Sequence, residues 1–233
     1  PYTADDGATY LRWVARLTFR SGSPVVEVAV THIDDWLKTE FTDITSLSLP
    51  LRIPGGVKGI CAGIEGQEPL RGAMLDLFQG NELGYTASAG GRASTGKRAD
   101  GLVRLSSGGG ELTAIVHHFW QRWPKALRGG GNELVFDLLP RQPDEKYGAN
   151  EPYYLMYPFV EGKYRSKWGM SFTERISFDF SGRLPSDALR AEVRKPLVAV
   201  LPAPWYAETL ALGPVAAPLG KQFALWDKYV ADG

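Results

Sequence analysis

The sequence predicts an all-β protein, a large antiparallel β-sandwich with a short helical C-terminal tail. Two observations predict this class. In many short segments apolar and polar residues alternate with a period of two, as in strands with one face on a core. The chain also has 27 glycines and 16 prolines, which favour many turns and short strands over a few long helices. We expect the sandwich at residues 1–182 and a connector with short helices, packing on the sandwich, at 183–233.

The clearest strand covers residues 10–20. Its residues fall into two alternating sets, Leu11, Trp13, Ala15, Leu17 and Phe19 against Arg12, Val14, Arg16, Thr18 and Arg20. This pattern predicts a strand with one buried face and one basic, wetter face. Turn residues at 21–24 lead into its expected hairpin partner at 25–31.

Further strands are predicted along the chain, and Pro50 makes the first of them an edge strand or a bulged one. Their ranges are 45–53, 57–64, 72–79, 102–105, 111–120, 133–139 and 172–180. Residues 90–100 and 142–150 are polar and are predicted to be exposed loops. Short helices are predicted at 185–193, 204–212 and 219–230.

Charge and hydropathy limit the partners of the chain. Lysine plus arginine equals aspartate plus glutamate at 26 each, whereas a nucleic-acid binder normally carries a basic excess. Apolar runs stay far below membrane-spanning length. We therefore expect neither nucleic acid nor membrane as a partner. The chain opens at Pro1 without a methionine, so we expect it to be processed or trimmed from something longer.

Cofactor motifs give no support for a bound metal. The sequence has no HExxH, no paired CxxC and no calcium-loop spacing, so we predict no metal site and no cofactor, and a calcium requirement stays open. A serine-hydrolase elbow is also missing. The single cysteine, Cys61, lies in an apolar run that predicts a buried, inert thiol.

Residues 117–125 form the densest unusual stretch of the sequence. Continued alternation would place His118 in the same row as Val116, near the end of a strand. There its imidazole could act as a general base or contact a sugar, flanked by Trp120 and Trp123 as stacking platforms. The competing interpretation is a core histidine bonded to backbone, with two buried tryptophans.

Glu174 is a carboxylate in an otherwise apolar row of the strand at 172–180. A buried charge needs a partner, and His118, Lys167 or an arginine could supply it. The result would be either a catalytic pair or a structural ion pair.

An aromatic-rich stretch with several cations follows the second loop, within residues 147–168. Such a mixture suits an acidic sugar polymer, through stacking and carboxylate pairing. It equally suits a sandwich rim that packs on a second domain. The residues are Tyr147, Tyr153, Tyr154, Tyr157, Tyr164 and Trp168, with Lys163, Arg165 and Lys167.

Three stretches, 117–127, 166–174 and 202–206, resemble the central β-sandwich domain of the exo-rhamnogalacturonan lyase-like family, and the opening hairpin is similar too. The resemblance implies a galactose-mutarotase-like supersandwich and secreted or cell-surface β-elimination chemistry on a pectic, uronic-acid-containing polysaccharide. In that family the sandwich lies between a barrel-like domain and a helical toroid. This sequence has neither, so a missing toroid or a neighbouring subunit is an expected partner besides polysaccharide.

Elimination of that kind needs a base for the C5 proton and a group that neutralises the uronate charge. The candidate catalytic residues are His118, Lys125, Tyr164, Lys167 and Glu174. The candidate substrate-binding residues are Trp120, Gln121, Arg122, Trp123, Tyr154 and Trp168.

Three functions therefore stand as hypotheses. The first is a carbohydrate-active sandwich of a lyase-type protein, acting on or binding uronate polysaccharide. The second is a non-catalytic carbohydrate-binding or structural module. The third is a subunit-interface protein whose exposed aromatic residues bind another polypeptide. Active clefts commonly lie between domains, so we place carbohydrate association above catalysis by this chain alone.

Overall fold

A computed structural model of the chain describes residues 2–3, 7, 9–64, 68–141, 159–160, 162–194 and 201–210, and the single positions 213, 224 and 228. The chain divides into two compact units, Pro1–Arg194 and Lys195–Gly233.

Within the described residues the regular elements are eighteen strands and two helices. In chain order they are β1 (Tyr2–Thr3), β2 (Thr9–Tyr10), β3 (Arg12–Phe19), β4 (Val25–Ile33), β5 (Phe41–Ile44), β6 (Leu47–Arg52), β7 (Val57–Ile64), β8 (Leu70–Gly72), β9 (Leu75–Asn81), β10 (Gly84–Ala89), β11 (Arg92–Gly96), β12 (Ala99–Ser107), β13 (Gly110–Val116), β14 (Lys125–Gly130), β15 (Glu133–Leu139), β16 (Phe159–Val160), β17 (Lys163–Lys167), β18 (Ser171–Asp179), α1 (Ser186–Arg194) and α2 (Ala203–Thr209).

Two large sheets form a sandwich in the first unit. One sheet has the order β3-β4-β18-β13-β12-β7-β8 and the other β11-β10-β9-β14-β15-β6, and the strand pairs in both are antiparallel. Their inner faces share one apolar core, in which the Phe136 ring meets the Phe178 ring edge-on at 5.5 Å. A small sheet, β16-β17-β5, accompanies them. The predicted all-β sandwich is confirmed.

Period-two alternation locates several strands correctly. The strands β7 and β15 match their predicted ranges, and β18 is shifted by one residue. Pro50 lies in β6, which is the last strand of the six-stranded order, as expected for a residue that cannot donate to a ladder. Along β18, Glu174, Ile176 and Phe178 are all buried on the core side.

The prediction that the first strand has one buried face is wrong. Every residue of β3 is exposed, including Trp13 at 50%, Leu17 at 56% and Phe19 at 71%. The strand ends the seven-stranded order, and among the described residues neither of its faces is covered. Alternation therefore located the strand but not its burial, because burial depends on what another element covers.

Three further local predictions need correction. Residues 90–100 do not form one long loop, because β11 lies within them and pairs with β10. The strand predicted at 111–120 ends at Val116. Cys61 is half-buried, since its side chain points away from the core that its neighbours Ile60 and Ala62 enter. The loop predicted at 142–150 and most of the helix predicted at 219–230 lie outside the described residues.

Helix α1 packs on the outer face of the seven-stranded sheet. Leu189 is fully buried there against Val25, Leu102 and Ile115. These contacts include α1 in the first unit, which therefore extends to Arg194. The helix predicted at 185–193 is confirmed.

The described part of the second unit contains α2, which was predicted at 204–212. The helix follows Pro202, ends at Leu210 in a left-handed conformation and sets Trp205 edge-on to Tyr206. The backbone N–H of Leu201 donates to the Tyr206 hydroxyl at 3.2 Å.

Candidate functional site

The turn at 117–124 starts where β13 ends, and His117 anchors it. The backbone N–H of His117 donates to the Arg175 carbonyl at 2.9 Å, and its Nε2 lies 2.9 Å from the Ser177 hydroxyl. Burial lowers the pKa of His117 to about 4. This imidazole is therefore neutral near pH 7 and fastens the turn to β18.

His118 is exposed and has a left-handed backbone with a φ of 54°. Its carbonyl accepts a hydrogen bond from the Arg122 N–H at 2.9 Å. The prediction that His118 continues the buried row of Val116 is wrong, because the strand has already given way to a turn. The inward histidine of the pair is His117, and His118 presents its ring to solvent.

Trp120 also leaves the predicted strand row and lies half-buried in the turn. The guanidinium of Arg98 stacks over its ring, 4.0 Å from the centroid, in cation–π geometry. Arg98 itself is exposed, and no carboxylate in the described part of the chain lies within ion-pair distance of it. Sequence reasoning missed Arg98, because only the fold brings it to Trp120.

A buried ion cluster lies beneath the turn. Lys125 and Glu174 are both 3% exposed, and Lys125 Nζ is 3.3 Å from Glu174 Oε1. Arg122, which is partly exposed, brings a guanidinium nitrogen to 3.1 Å from the same oxygen. Of the predicted partners of Glu174, the arginine is confirmed. Neither His118 nor Lys167 is among its ion pairs in the described residues.

Lys125 is held on all sides by the protein. Its Nζ donates to the Leu138 carbonyl at 2.9 Å. Burial lowers the pKa of Lys125, and the negative charge of Glu174 opposes that shift. Glu174 Oε2 is buried and has no hydrogen-bond partner among the described residues. Because neither group reaches solvent, the cluster anchors the turn and is not placed to exchange protons with a polymer.

The outer surface of the turn is polar and aromatic. Gln121 is exposed, and Arg122 donates from a guanidinium nitrogen to the Thr173 carbonyl at 2.6 Å. Trp123 is half-buried. It is neither a fully buried core residue nor a freely exposed platform.

The second predicted segment separates into a buried and an exposed part. Tyr164 is buried, and its hydroxyl donates to the Pro140 carbonyl. Lys167 pairs with Glu40 at 3.0 Å, and Trp168 is 48% exposed. Tyr164 is thus a packing residue, since its only polar atom is engaged within the core. Tyr154 lies outside the described residues.

Strand β18 brings the two predicted segments to the same end of the seven-stranded sheet. The turn at 117–124 contacts β18 through Arg175 and Thr173, whose carbonyls accept from His117 and Arg122. The turn that holds Trp168 leads directly into the first residue of β18. Trp168 lies in a tight turn, in which the Met170 N–H donates to the Lys167 carbonyl at 3.1 Å.

Neither a protein-family model nor a curated protein matches this chain. Within the described residues, no three His, Cys, Asp or Glu side chains are grouped so that they could hold a metal ion. The same part of the chain has no helix that is both long and apolar enough to cross a membrane.

Proposed function

We propose that this protein is a non-catalytic binding module for acidic, uronate-containing polysaccharide. The observation that carries the proposal is the Arg98–Trp120 stack beside Arg122, at the end of the sheet that also presents Trp168. The exposed ring of Trp168 offers a flat face that suits the C–H-rich face of a sugar, and the Arg98 guanidinium, which covers the Trp120 ring, matches a carboxylate in a bidentate pair.

Charge is distributed favourably for such a ligand. Glu174, the carboxylate beneath the turn, is buried and neutralised by Lys125 and Arg122. Arg98 carries an exposed positive charge with no carboxylate partner in the described residues. A chain of uronates would therefore meet the uncompensated charge of Arg98 at the turn.

Binding is favoured over catalysis because the strongest candidates for proton transfer are inside the protein. Lys125, Tyr164 and Glu174 are all buried and engaged by protein partners. Two candidates are exposed, His118 and Lys167, and Lys167 is paired with Glu40 at 3.0 Å. The exposed ring of His118, on a left-handed backbone that is uncommon outside glycine, supports a second candidate function, β-elimination with His118 as the base.

The binding proposal is tested by retardation of the protein in gels that contain polygalacturonate, compared with gels that contain an uncharged galactan. We expect retardation by the acidic polymer only, and weakening by added salt. Arg98→Gln should weaken the apparent affinity about tenfold, because a charge-assisted hydrogen bond is lost.

Arg52→Gln is the matched control, since Arg52 is also exposed but lies on the edge strand β6. Equal retardation of Arg98→Gln and the parent protein would contradict the proposal. Incubation of the same polymers with the protein also reports on catalysis. If unsaturated uronate raises the ultraviolet absorbance, and if His118→Ala abolishes this rise, the protein is a lyase and not a non-catalytic binding module.

A further inference from the structure

The outer face of the seven-stranded sheet carries a concavity of about 470 Å³ beside α1, separate from the candidate site at the turn. Strands β7, β8 and β12 form its floor. Its charged lining comprises Arg71, Arg104, Glu111 and Arg190, and its other polar side chains are Cys61, Ser106 and Ser186. It shares no residue with the turn at 117–124.

A row of three side chains crosses the floor of this concavity. Cys61 on β7 is directly paired with Arg71 on β8 and with Arg104 on β12. Directly opposed residues point to the same face, and neighbouring strands lie about 4.8 Å apart. The two arginine side chains thus rise from the same face of the sheet on either side of a small thiol.

A third arginine closes the concavity from the helix. Arg190 Nε lies 2.6 Å from Asp100 Oδ2, and its Nη1 lies 2.7 Å from Asp187 Oδ1. Gly63 provides the space, because a Cβ there would come within 2.6 Å of the Arg190 guanidinium. Arg190 is therefore fixed in place, with its charge already balanced by two carboxylates.

The remaining charges leave one cation uncompensated. Arg104 pairs with Glu111. Arg71 has no carboxylate within ion-pair distance in the part of the chain that the structure describes. We infer that this concavity binds a small molecule through an oxyanion, a carboxylate or phosphate group, held between Arg71 and Arg104. The planar fork of each guanidinium matches two oxygens of such a group.

Cys61 offers a direct readout because it is the single cysteine of the chain and lies on the floor, half-buried. The probe is the rate at which the neutral reagent iodoacetamide alkylates Cys61 in the folded protein. We expect galacturonate, inorganic phosphate or both to slow alkylation several-fold at saturation, relative to chloride at matched ionic strength. Uncharged galactose should not slow it. Protection by galacturonate alone identifies a carboxylate ligand, and protection by phosphate alone identifies a phosphate ligand.

Arg71→Gln should raise the anion concentration for half-protection about tenfold, because one charge-assisted contact is removed. Arg71→Gln also changes the intrinsic reactivity of Cys61, because Arg71 lowers the pKa of the thiol while burial raises it more strongly. The readout in each variant is therefore the ratio of the alkylation rates with and without anion. Arg92→Gln, an exposed arginine on β11, is the control and should leave half-protection unchanged.

Two results would overturn the inference: no protection by either anion, or the same half-protection concentration in Arg71→Gln as in the parent. The inference is independent of the proposed polysaccharide site. Arg98→Gln should therefore keep full protection of Cys61, so failure of one site is distinguishable from failure of the other.

Discussion

Lys125 and Glu174 show how burial decides what a charged residue can do. Each is an ionisable group taken out of water, which costs several kcal/mol unless a partner compensates. Their mutual contact, with Arg122 on the same carboxylate oxygen, supplies that compensation. Both residues were candidates for catalysis, and the structure gives them the role of joining the start of β14 to β18.

Removing one member of this pair should lower the free energy of unfolding more than removing both. Glu174→Leu leaves Lys125 buried without its carboxylate and should lower the free energy of unfolding by about 3 kcal/mol. The double variant Glu174→Leu, Lys125→Met replaces the pair with apolar side chains of similar size and should recover most of that loss. Urea unfolding of Glu174→Leu, Lys125→Met and the double variant measures the three losses of free energy. Additive losses in the double variant would show that the two residues do not depend on each other.

At the scale of elements, β12 and the turn at 117–124 depend on one glycine. Gly101 has a φ of 73°, and a Cβ at this position would lie 2.5 Å from the Phe119 Cβ and 2.8 Å from the Val116 carbonyl oxygen. Phe119 is the residue of the turn that enters the core. The absence of a side chain at Gly101 therefore allows Phe119 to lie close to β12 and to enter the core.

Gly101→Ala should destabilise the protein by about 2–5 kcal/mol, from a left-handed backbone that alanine resists and from overpacking against Phe119. Gly91→Ala is the matched control. Gly91 has a φ of 78° but nothing within 4 Å of a built Cβ, so its loss should be only about 1–2 kcal/mol. Thermal or urea unfolding of both variants gives the comparison. Equal losses would show that the contact with Phe119 contributes nothing.

Local patterns predicted the strands well because alternation is a property of neighbouring residues. It placed β7, β15 and β18, and it placed Glu174 inside, where the arginine among its three expected partners is the one found. It failed where the answer depends on distant parts of the chain. The exposure of β3 depends on what covers the sheet. Which of His117 and His118 points inward depends on where β13 ends and the turn begins.

The candidate site was predictable only in part for the same reason. The aromatic and basic residues of 117–125 stand together in the sequence, and their turn was visible as an anomaly. Arg98 and Arg71 carried no local signal. Each becomes a candidate only when the fold sets it beside Trp120 or Cys61.

For the molecule as a whole, the buried His32 and the half-buried His117 link stability to pH. Burial lowers the pKa of both His32 and His117 from 6.5 to about 4. The unfolded chain binds protons at these positions below pH 6.5, and the folded protein does not do so until about pH 4. The stability they provide is therefore fully present above pH 6.5 and is lost as the pH falls toward 4.

Between pH 7 and pH 5 the free energy of unfolding should fall by roughly 1–2 kcal/mol for each of these histidines. His117→Gln keeps a hydrogen-bonding group beside Ser177 but cannot titrate, and it should remove about half of this pH dependence. Urea unfolding at the two pH values measures the effect. An unchanged slope in His117→Gln would show that this histidine is protonated equally in the folded and unfolded chain.

The exposed strand β3 has a consequence for how copies of this protein meet. A sheet that ends in an uncovered strand invites another strand to add to it. If two copies paired antiparallel about Arg16, each Arg16 would face the other, and Arg12 would face Arg20. Like charges in opposed positions repel, and Arg16 has no ion-pair partner in the described residues to neutralise it. Arg12 and Arg20 are already paired with Asp35 and Glu192, so the charge of Arg16 at the centre of β3 is the one expected to disfavour edge-to-edge pairing in this register.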